Sequence, residues 1–173
     1  PFLDVPLEKH LATYQVNIVG LTAVTHAFLP DLIARPDAHL VNVASASGFI
    51  GLPHGTTYAA SKWAVIGFSE SIRLELAVHG HRHVHTTLVC PSYVATGLFD
   101  GARAVRTTKI VDPERLADLV VHAVLRNRLY VLTPWIVKLT PFLKGVLPRP
   151  IFDASAAALG VTSGMLHWRG HTR

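Results

Sequence analysis

Half of the 173 residues are apolar and only 16% are charged, a composition that predicts one globular domain and excludes a disordered chain. The net charge of +5 comes from scattered Lys and Arg residues that do not interleave with the three Trp residues, so no nucleic-acid partner is expected. The single cysteine, Cys90, excludes an internal disulfide, and the start "PFLDVPLEKH" lacks the pattern of a signal peptide. We therefore expect a cytoplasmic protein, with peripheral membrane association as the alternative.

Helices and strands are predicted to alternate along the chain. Apolar residues near helical spacing predict a helix over 6–34, which leads into a β-branched strand over 39–45. Thr56 or Thr57 can cap a second helix, which we expect to run to about His79 and to stop at Gly80. A second strand over 83–91 ends at a proline.

The third helix has a clear start signal. Asp112 is a good N-cap, and Pro113 fits the first helical position that follows it. A short strand over 129–133 comes next. Because the strands are continuous apolar runs between helices, the sequence predicts an α/β fold, a doubly wound parallel sheet with helices on both faces.

Polar residues that follow these strands are candidates for a functional site. Parallel sheets bind ligands at the carboxyl ends of their strands, where "ASASG", "CPSYVATG" and "TPW" occur. Nearby, Tyr58 and Lys62 stand four positions apart and therefore share one face of a helix. A tyrosine acts as an acid or base at neutral pH only if its pKa falls by about 2–3 units, and a neighbouring ammonium favours that change.

Four residues carry a resemblance to a known family. Ser45, Tyr58 and Lys62, together with Asn17 in "YQVNIVG", are similar in order and spacing to the catalytic constellation of the short-chain dehydrogenase/reductase family. "VNVASASG", "YAASK" and "PSYVATG" support the same resemblance, which covers roughly residues 1–133. "CPSYVATGLF" and the C-terminal tail look most like the branch that holds retinol dehydrogenases and 17-beta-hydroxysteroid dehydrogenases.

The resemblance implies a Rossmann-like fold and an NAD(P)-dependent oxidoreductase that interconverts a lipophilic alcohol and its ketone or aldehyde. Tyr58 would be the general acid/base, and Lys62 would lower its pKa and hold the nicotinamide ribose. Ser45 would hydrogen-bond the substrate oxygen, although Ser47 competes for this role. Asn17 would hold a water that links Lys62 to solvent.

The cofactor implied by the resemblance is NAD or NADP. Tyr58, Lys62, Pro91, Val94 and Thr96 would contact it, the last two at the nicotinamide carboxamide. The family also forms homodimers through two long helices, so a homodimer is expected.

The chain departs from the family in the part that binds the cofactor phosphates. The phosphate-binding GxxxGxG loop is absent, because Gly51 and Gly55 are followed by Thr57 and no strand-to-helix turn fits. The first four strands of the family fold are also missing, so the chain resembles the C-terminal two-thirds of a complete enzyme. A truncated or catalytically idle family member that acts as a dimerisation or scaffold module is therefore the alternative function.

Residues 134–173 are expected to form an amphipathic extension of the catalytic part, 1–133. Apolar residues in "WIVKLTPFLKGVL" follow one helical stripe, with Lys138 and Lys144 elsewhere. The segment can cover the substrate cleft, pack as core or lie on a membrane surface, and Pro134 and Pro141 argue against a membrane-spanning helix.

A run of histidines, "HGHRHVHT", raises a metal hypothesis that we do not favour. His81, His83 and His85 have the period of a strand, and imidazole binds Zn, Cu or Ni. The run crosses from a helix end into a strand and has no Cys, Asp or Glu beside it, so no metal site is expected.

Overall fold

The computed structural model describes residues 1–106 and 108–170. Two short 3₁₀ turns cover Phe2–Asp4 and Ala46–Gly48, and a π-helical turn covers Gln15–Gly20. The main elements, in chain order, are α1 (Leu7–Tyr14), α2 (Leu21–Ile33), β1 (Ala38–Val43), α3 (Thr56–Val78), β2 (Val84–Pro91), α4 (Pro113–Val124), β3 (Tyr130–Thr133), α5 (Trp135–Val146) and α6 (Arg149–Ala158).

The strands form a parallel sheet in the order β1-β2-β3. Val43 pairs with Val89, and Pro91 pairs with Thr133 two residues farther along β2. The carboxyl ends of all the strands therefore lie at one edge of the sheet, and each connection between them contains a helix. This arrangement confirms the predicted α/β fold.

The central strand β2 shows why helices cover both faces of the sheet. Its side chains alternate in direction, as they must in a strand. Leu88 and Cys90 pack with Val65 and Ile66 of α3 in one buried cluster. Val89, between them, packs in another cluster with Ala123 of α4. The sheet is therefore the middle layer of a doubly wound fold.

The helix ends are partly as predicted. The Asp112 carboxylate accepts a hydrogen bond from the Arg115 backbone N–H at 2.9 Å, as expected for the N-cap of α4. Gly80 follows α3 with φ of +84°, a backbone conformation that favours glycine. The prediction of a threonine cap for α3 is wrong, because Gly55 is the N-cap and the Thr57 hydroxyl contacts the His10 ring instead.

The N-terminal helical segment, Leu7–Ile33, has an unusually exposed apolar surface. By length and composition it could cross a membrane, and only 6% of its most apolar window is buried. Core helices of globular proteins meet the same criteria. Beside it, the outer edge of β1 pairs with no strand among the described residues, and Val41 and Val43 are exposed there.

Candidate active site

A cavity of about 360 Å³ lies at the carboxyl ends of the strands. Ser45 reaches it from the end of β1, Tyr58 from the first turn of α3, and Ser92 and Tyr93 from the end of β2. Helices α5 and α6 supply most of the opposite wall. Among the described lining residues Arg103 alone is charged, so the space suits a mainly apolar molecule.

Ser45 is buried and held in place by the backbone. Its hydroxyl accepts a hydrogen bond from the Ser47 N–H at 3.2 Å and donates one to the Pro91 carbonyl at 3.4 Å. Ser47 also lines the cavity, and its buried hydroxyl has no partner among the described residues. Ser45, in contrast, lowers the pKa of Tyr58 through its side chain, which favours Ser45 over Ser47 as the partner of the phenol.

Tyr58 and Lys62 share a helix face, but the Lys62 ammonium donates its hydrogen bond to a backbone carbonyl and not to the Tyr58 hydroxyl. The Lys62 ammonium lies 5.6 Å from the centroid of the Tyr58 ring and donates a hydrogen bond to the Val43 carbonyl at 3.0 Å. Burial raises the pKa of Tyr58, and Ser45 lowers it by a smaller amount. The pKa of Lys62 is lowered by burial. In this chain burial therefore sets the direction of the Tyr58 pKa shift, opposite to the lowering that we expected from Lys62.

Asn17 is connected to Tyr58 through the backbone. It lies in the π-helical turn, a local irregularity that is frequent at functional sites. Its amide donates to the Ser61 hydroxyl at 3.0 Å, and that hydroxyl donates to the Tyr58 carbonyl at 2.7 Å. Asn17 and Lys62 line a separate cleft beside β1, whereas Ser45 and Tyr58 line the cavity.

The predicted cofactor contacts on the loop after β2 are less clearly placed. Pro91 ends the strand and is buried. Val94 is held by a bridge to Val111, and the Thr96 side chain is exposed. Neither Val94 nor Thr96 is among the residues that line the cavity, so their contact with a nicotinamide stays a prediction.

Two aromatic residues of the cavity were missed by sequence reasoning. The ring of Phe99 lies 6.0 Å from that of Tyr58 and 5.1 Å from that of Tyr93, both edge to face. Burial, and secondarily the charge of Tyr58, raises the pKa of Tyr93. The apolar residues that follow Pro91 were the available signal, but nothing in their spacing showed that they fold back over Tyr58.

Helix α5 is fixed over the cavity by Lys144. Its ammonium donates to the Phe49 carbonyl at 2.8 Å and lies 3.6 Å from the centroid of the Trp63 ring. Four residues of α5 line the cavity, namely Ile136, Val137, Thr140 and Leu143, and so does its C-cap, Leu147. Sequence reasoning missed α6, whose Phe152 and Ala156 also line it.

The histidine run is used for structural contacts. The His83 ring bonds to the Ile33 carbonyl at 2.9 Å, and the His85 ring lies 3.5 Å from the Asp37 carboxylate. Within residues 1–106 and 108–170, no three His, Cys, Asp or Glu side chains are grouped as metal ligands would be.

Comparison with known proteins agrees with this geometry. A sequence model described as short chain dehydrogenase matches residues 1–106. Epidermal retinol dehydrogenase 2 of Mus musculus is 36% identical over 162 residues, which are 92% of this chain and 52% of that protein. Estradiol 17-beta-dehydrogenase 11 of Rattus norvegicus is 30% identical over 158 residues, 91% of this chain and 52% of that protein.

Solved structures show the same fold. A short chain dehydrogenase/reductase from Burkholderia phymatum, in complex with NAD, superposes with a TM-score of 0.69 at 23% identity over 83% of this chain and 59% of that one. A short chain dehydrogenase from Burkholderia cenocepacia, in complex with NADP, superposes with a TM-score of 0.69 at 24% identity. The superposition covers 89% of this chain and 60% of that one.

The chain spans about half the length of the curated relatives that it matches. Those relatives are retinol and 17-beta-hydroxysteroid dehydrogenases, the branch that the motifs predict. The matched family, the relatives and the shared fold agree with one another, and the chain belongs to the short-chain dehydrogenase family.

Proposed function

We propose that the protein that carries this chain is an NAD(P)-dependent oxidoreductase that interconverts a lipophilic alcohol and its ketone or aldehyde. One observation carries the proposal: the hydroxyls of Ser45 and Tyr58 belong to residues that line one cavity with largely apolar walls. The names of the relatives, retinol and estradiol dehydrogenases, denote alcohols of this kind.

Each polar residue has a role in the proposed reaction. Tyr58 donates its phenol proton to the carbonyl oxygen during reduction and accepts the hydroxyl proton during oxidation. Ser45 donates a hydrogen bond to the same oxygen and stabilises the charge that develops on it. When bound, NAD or NADP accepts or supplies the hydride. Asn17 holds a water that exchanges protons between Lys62 and solvent.

The residues present fit the nicotinamide end of such a cofactor. Lys62 offers ammonium protons, and the Tyr58 phenol is its neighbour on α3, so the two could hold ribose hydroxyls. Pro91, Val94 and Thr96, at the end of β2 and just beyond it, would lie near the carboxamide. No glycine loop for the phosphates occurs in this sequence. We therefore assign to this chain only the nicotinamide and substrate part of the site.

The walls of the cavity support a lipophilic substrate. Ile136, Leu143 and Phe152 contribute aliphatic and aromatic surface to these walls. The volume of the cavity, about 360 Å³, lies within the range of small-molecule sites, about 300–1,000 Å³. The segment 134–173 then acts as a lid over the substrate, with α5 fixed by Lys144.

A series of primary alcohols tests this proposal. Each added methylene should raise kcat/KM about two- to fourfold until the cavity is filled, because each buries apolar surface. Leu143→Asp should abolish this dependence on chain length. Val121→Asp is the matched control, since Val121 is exposed on α4 and is not among the residues that line the cavity. Equal rates along the series would contradict a lipophilic substrate.

The alternative, an idle dimerisation or scaffold module, has support in the outer edge of β1, which pairs with no strand among the described residues. Titration calorimetry of the protein that carries this chain separates the two. An oxidoreductase binds NAD or NADP, and Lys62→Ala weakens that binding. No binding of either nucleotide, with the fold intact, would favour the scaffold.

A further inference from the structure

Arg103 brings a positive charge to the cavity wall, and no carboxylate of the described residues lines the same space. Its side chain is exposed and takes part in no ion pair within the described part of the chain. Asp100, on the same loop, does not line the cavity, and Asp153 on α6 pairs with Arg149 at 3.3 Å. The charge of Arg103 is therefore left for a molecule in the cavity to neutralise.

The C-terminal segment holds the loop that carries Arg103. The Arg103 backbone N–H donates a hydrogen bond to the Gly164 carbonyl at 2.8 Å. The Arg169 backbone N–H donates another to the Asp100 carbonyl, also at 2.8 Å. The loop cannot move Arg103 away from the cavity without breaking such bonds, so its position on the wall is fixed by the fold.

A chain of contacts through two aromatic rings links Tyr58 to the backbone of Arg103. The Phe99 ring lies 6.0 Å from that of Tyr58 and 5.1 Å from that of Tyr93. A Cβ placed on Gly164 would lie 2.8 Å from the Tyr93 hydroxyl oxygen and 3.1 Å from the Arg103 carbonyl oxygen. A molecule whose hydroxyl lies at Tyr58 therefore meets Arg103 with a different group, several bonds away.

The hydroxyls of the opposite wall already donate to the backbone. Thr140 donates to the Ile136 carbonyl at 3.0 Å, and Ser155 donates to the Ile151 carbonyl at 2.8 Å. A carboxylate that enters an apolar space loses hydration, and a cation that binds it there offsets that loss. The guanidinium of Arg103 offers two parallel N–H groups that match the two oxygens of a carboxylate. Charge and geometry therefore both favour a carboxylate at this wall.

We propose that Arg103 determines specificity by binding the carboxylate of a substrate that is both lipophilic and anionic, an ω-hydroxy fatty acid in chemical class. The assignment rests on the proposed oxidoreductase function and narrows its substrate class. The substrate hydroxyl lies at Ser45 and Tyr58, the alkyl chain fills the apolar cavity, and the carboxylate accepts hydrogen bonds from the guanidinium. Arg103 acts in binding and orientation and takes no part in the proton transfer.

Two substrates of equal chain length, ω-hydroxydodecanoate and dodecanol, test the proposal in the protein that carries this chain. The acid should have a kcat/KM about tenfold higher than the alcohol, because hydrogen bonds to charged groups are the stronger ones. Arg103→Gln should remove this preference, chiefly by raising KM for the acid about tenfold. Arg106→Gln, an arginine of the same loop that does not line the cavity, is the matched control and should keep the preference.

Reversal of the charge separates recognition from a structural role. Arg103→Glu should prefer ω-aminododecanol over ω-hydroxydodecanoate, a change that loss of packing alone would not produce. Titration calorimetry with dodecanoate provides a readout without turnover. The Kd of dodecanoate should rise about tenfold in Arg103→Gln and stay unchanged in Arg106→Gln. Near-ultraviolet circular dichroism checks that each variant is folded.

Three results would overturn the proposal. The first is a preference of the parent protein for dodecanol. The second is an equal loss of kcat/KM for both substrates in Arg103→Gln, and the third is dodecanoate binding that this variant leaves unchanged. A parent protein that is inactive toward both substrates but binds dodecanoate through Arg103 would contradict the oxidoreductase function and support the carboxylate site.

Discussion

Tyr58 lies in surroundings that favour its neutral form. Phe99 and the cavity walls exclude water from the phenol, and burial accordingly raises its pKa. Lys62, the cation that sequence reasoning placed beside it, is itself partly buried and donates to the Val43 carbonyl. The phenol therefore retains its proton at neutral pH, which suits its proposed role as the acid in carbonyl reduction.

Cys90 is a buried thiol whose ionisation would destabilise the folded state. Burial raises the pKa of this thiol to about 12, although the charge of Lys62 lowers it in part. In the unfolded chain the thiol ionises near 8.5. Because the folded pKa is the higher one, the stabilisation is fully present below the unfolded value and is lost as the pH rises toward 12.

We therefore expect the free energy of unfolding to fall between pH 8 and 10.5, with about 2–3 kcal/mol of that fall due to Cys90. Cys90→Ala, which cannot ionise, should reduce the fall by that amount even though it lowers stability overall. Urea unfolding at the two pH values measures the difference. An identical fall in both proteins would show that the thiol does not ionise as described.

At the scale of elements, the turn after β1 is fixed by close packing against α3. A Cβ placed on Gly48 would lie 2.5 Å from Ile66 Cδ1 and 2.8 Å from the Lys62 carbonyl oxygen. The same addition at Gly51, in the following loop, meets nothing within 4 Å. The approach of this turn to α3 positions Ser45 and Ser47 beside Tyr58.

Gly48→Ala should consequently destabilise the protein by about 1–3 kcal/mol, because the helix backbone cannot move without disturbing the core. Gly51→Ala is the matched control and should stay within about 0.5 kcal/mol of the parent protein. Thermal unfolding of the two variants provides the measurement. Equal melting temperatures would mean that the turn is looser than the structure indicates.

The elements themselves were largely predictable, because local signals set them. Asp112 with Pro113 begins α4 and Gly80 follows α3, and these residues act through their own backbone. Contacts between distant residues were not predictable. Thr57 failed as a cap because its hydroxyl contacts His10, which lies 47 residues away in sequence. The pKa of Tyr58 likewise depends on walls contributed by Phe99 and by later helices.

At the scale of the whole molecule, two long helical segments present surface that the sheet does not cover. Val65 and Leu76 of α3 are buried, whereas Ser71 and Glu75 on another face are exposed. The N-terminal segment exposes Leu11 and Val19. We propose that these faces of α3 and the N-terminal segment form the two-fold contact of a homodimer.

Sedimentation equilibrium of the protein that carries this chain should show a dimer at micromolar concentration. In a two-fold contact Glu75→Arg reverses one charge on each of the two protomers, so it should raise the dimer dissociation constant about tenfold or more. Glu114→Arg, an identical change in the first turn of α4, is the control. A fully active monomer at micromolar concentration would contradict the dimer.

The candidate catalytic residues were proposed on a different ground from the fold. Asn17, Ser45, Tyr58 and Lys62 were found through a family resemblance, and the structure divides them between the cavity and the cleft beside β1. The exposed apolar residues of α5 could not be separated in the sequence from those that line the cavity. Both consist of apolar residues at the same helical period, and only the packing of α5 against the cavity distinguishes them.

The central claim is that the Tyr58 hydroxyl transfers the proton, and one comparison tests it most directly. The Tyr58→Phe and Tyr93→Phe variants are made in the protein that carries this chain. For each, kcat for the oxidation of a lipophilic alcohol is measured from the absorbance of the reduced nicotinamide that forms. Both rings stay in the cavity and only a hydroxyl is lost from each. Tyr58→Phe should lower kcat by about 10²–10⁴-fold with an unchanged melting temperature, whereas Tyr93→Phe should stay within about threefold of the parent. A Tyr58→Phe protein that retains more than about a tenth of the parental kcat would contradict the account.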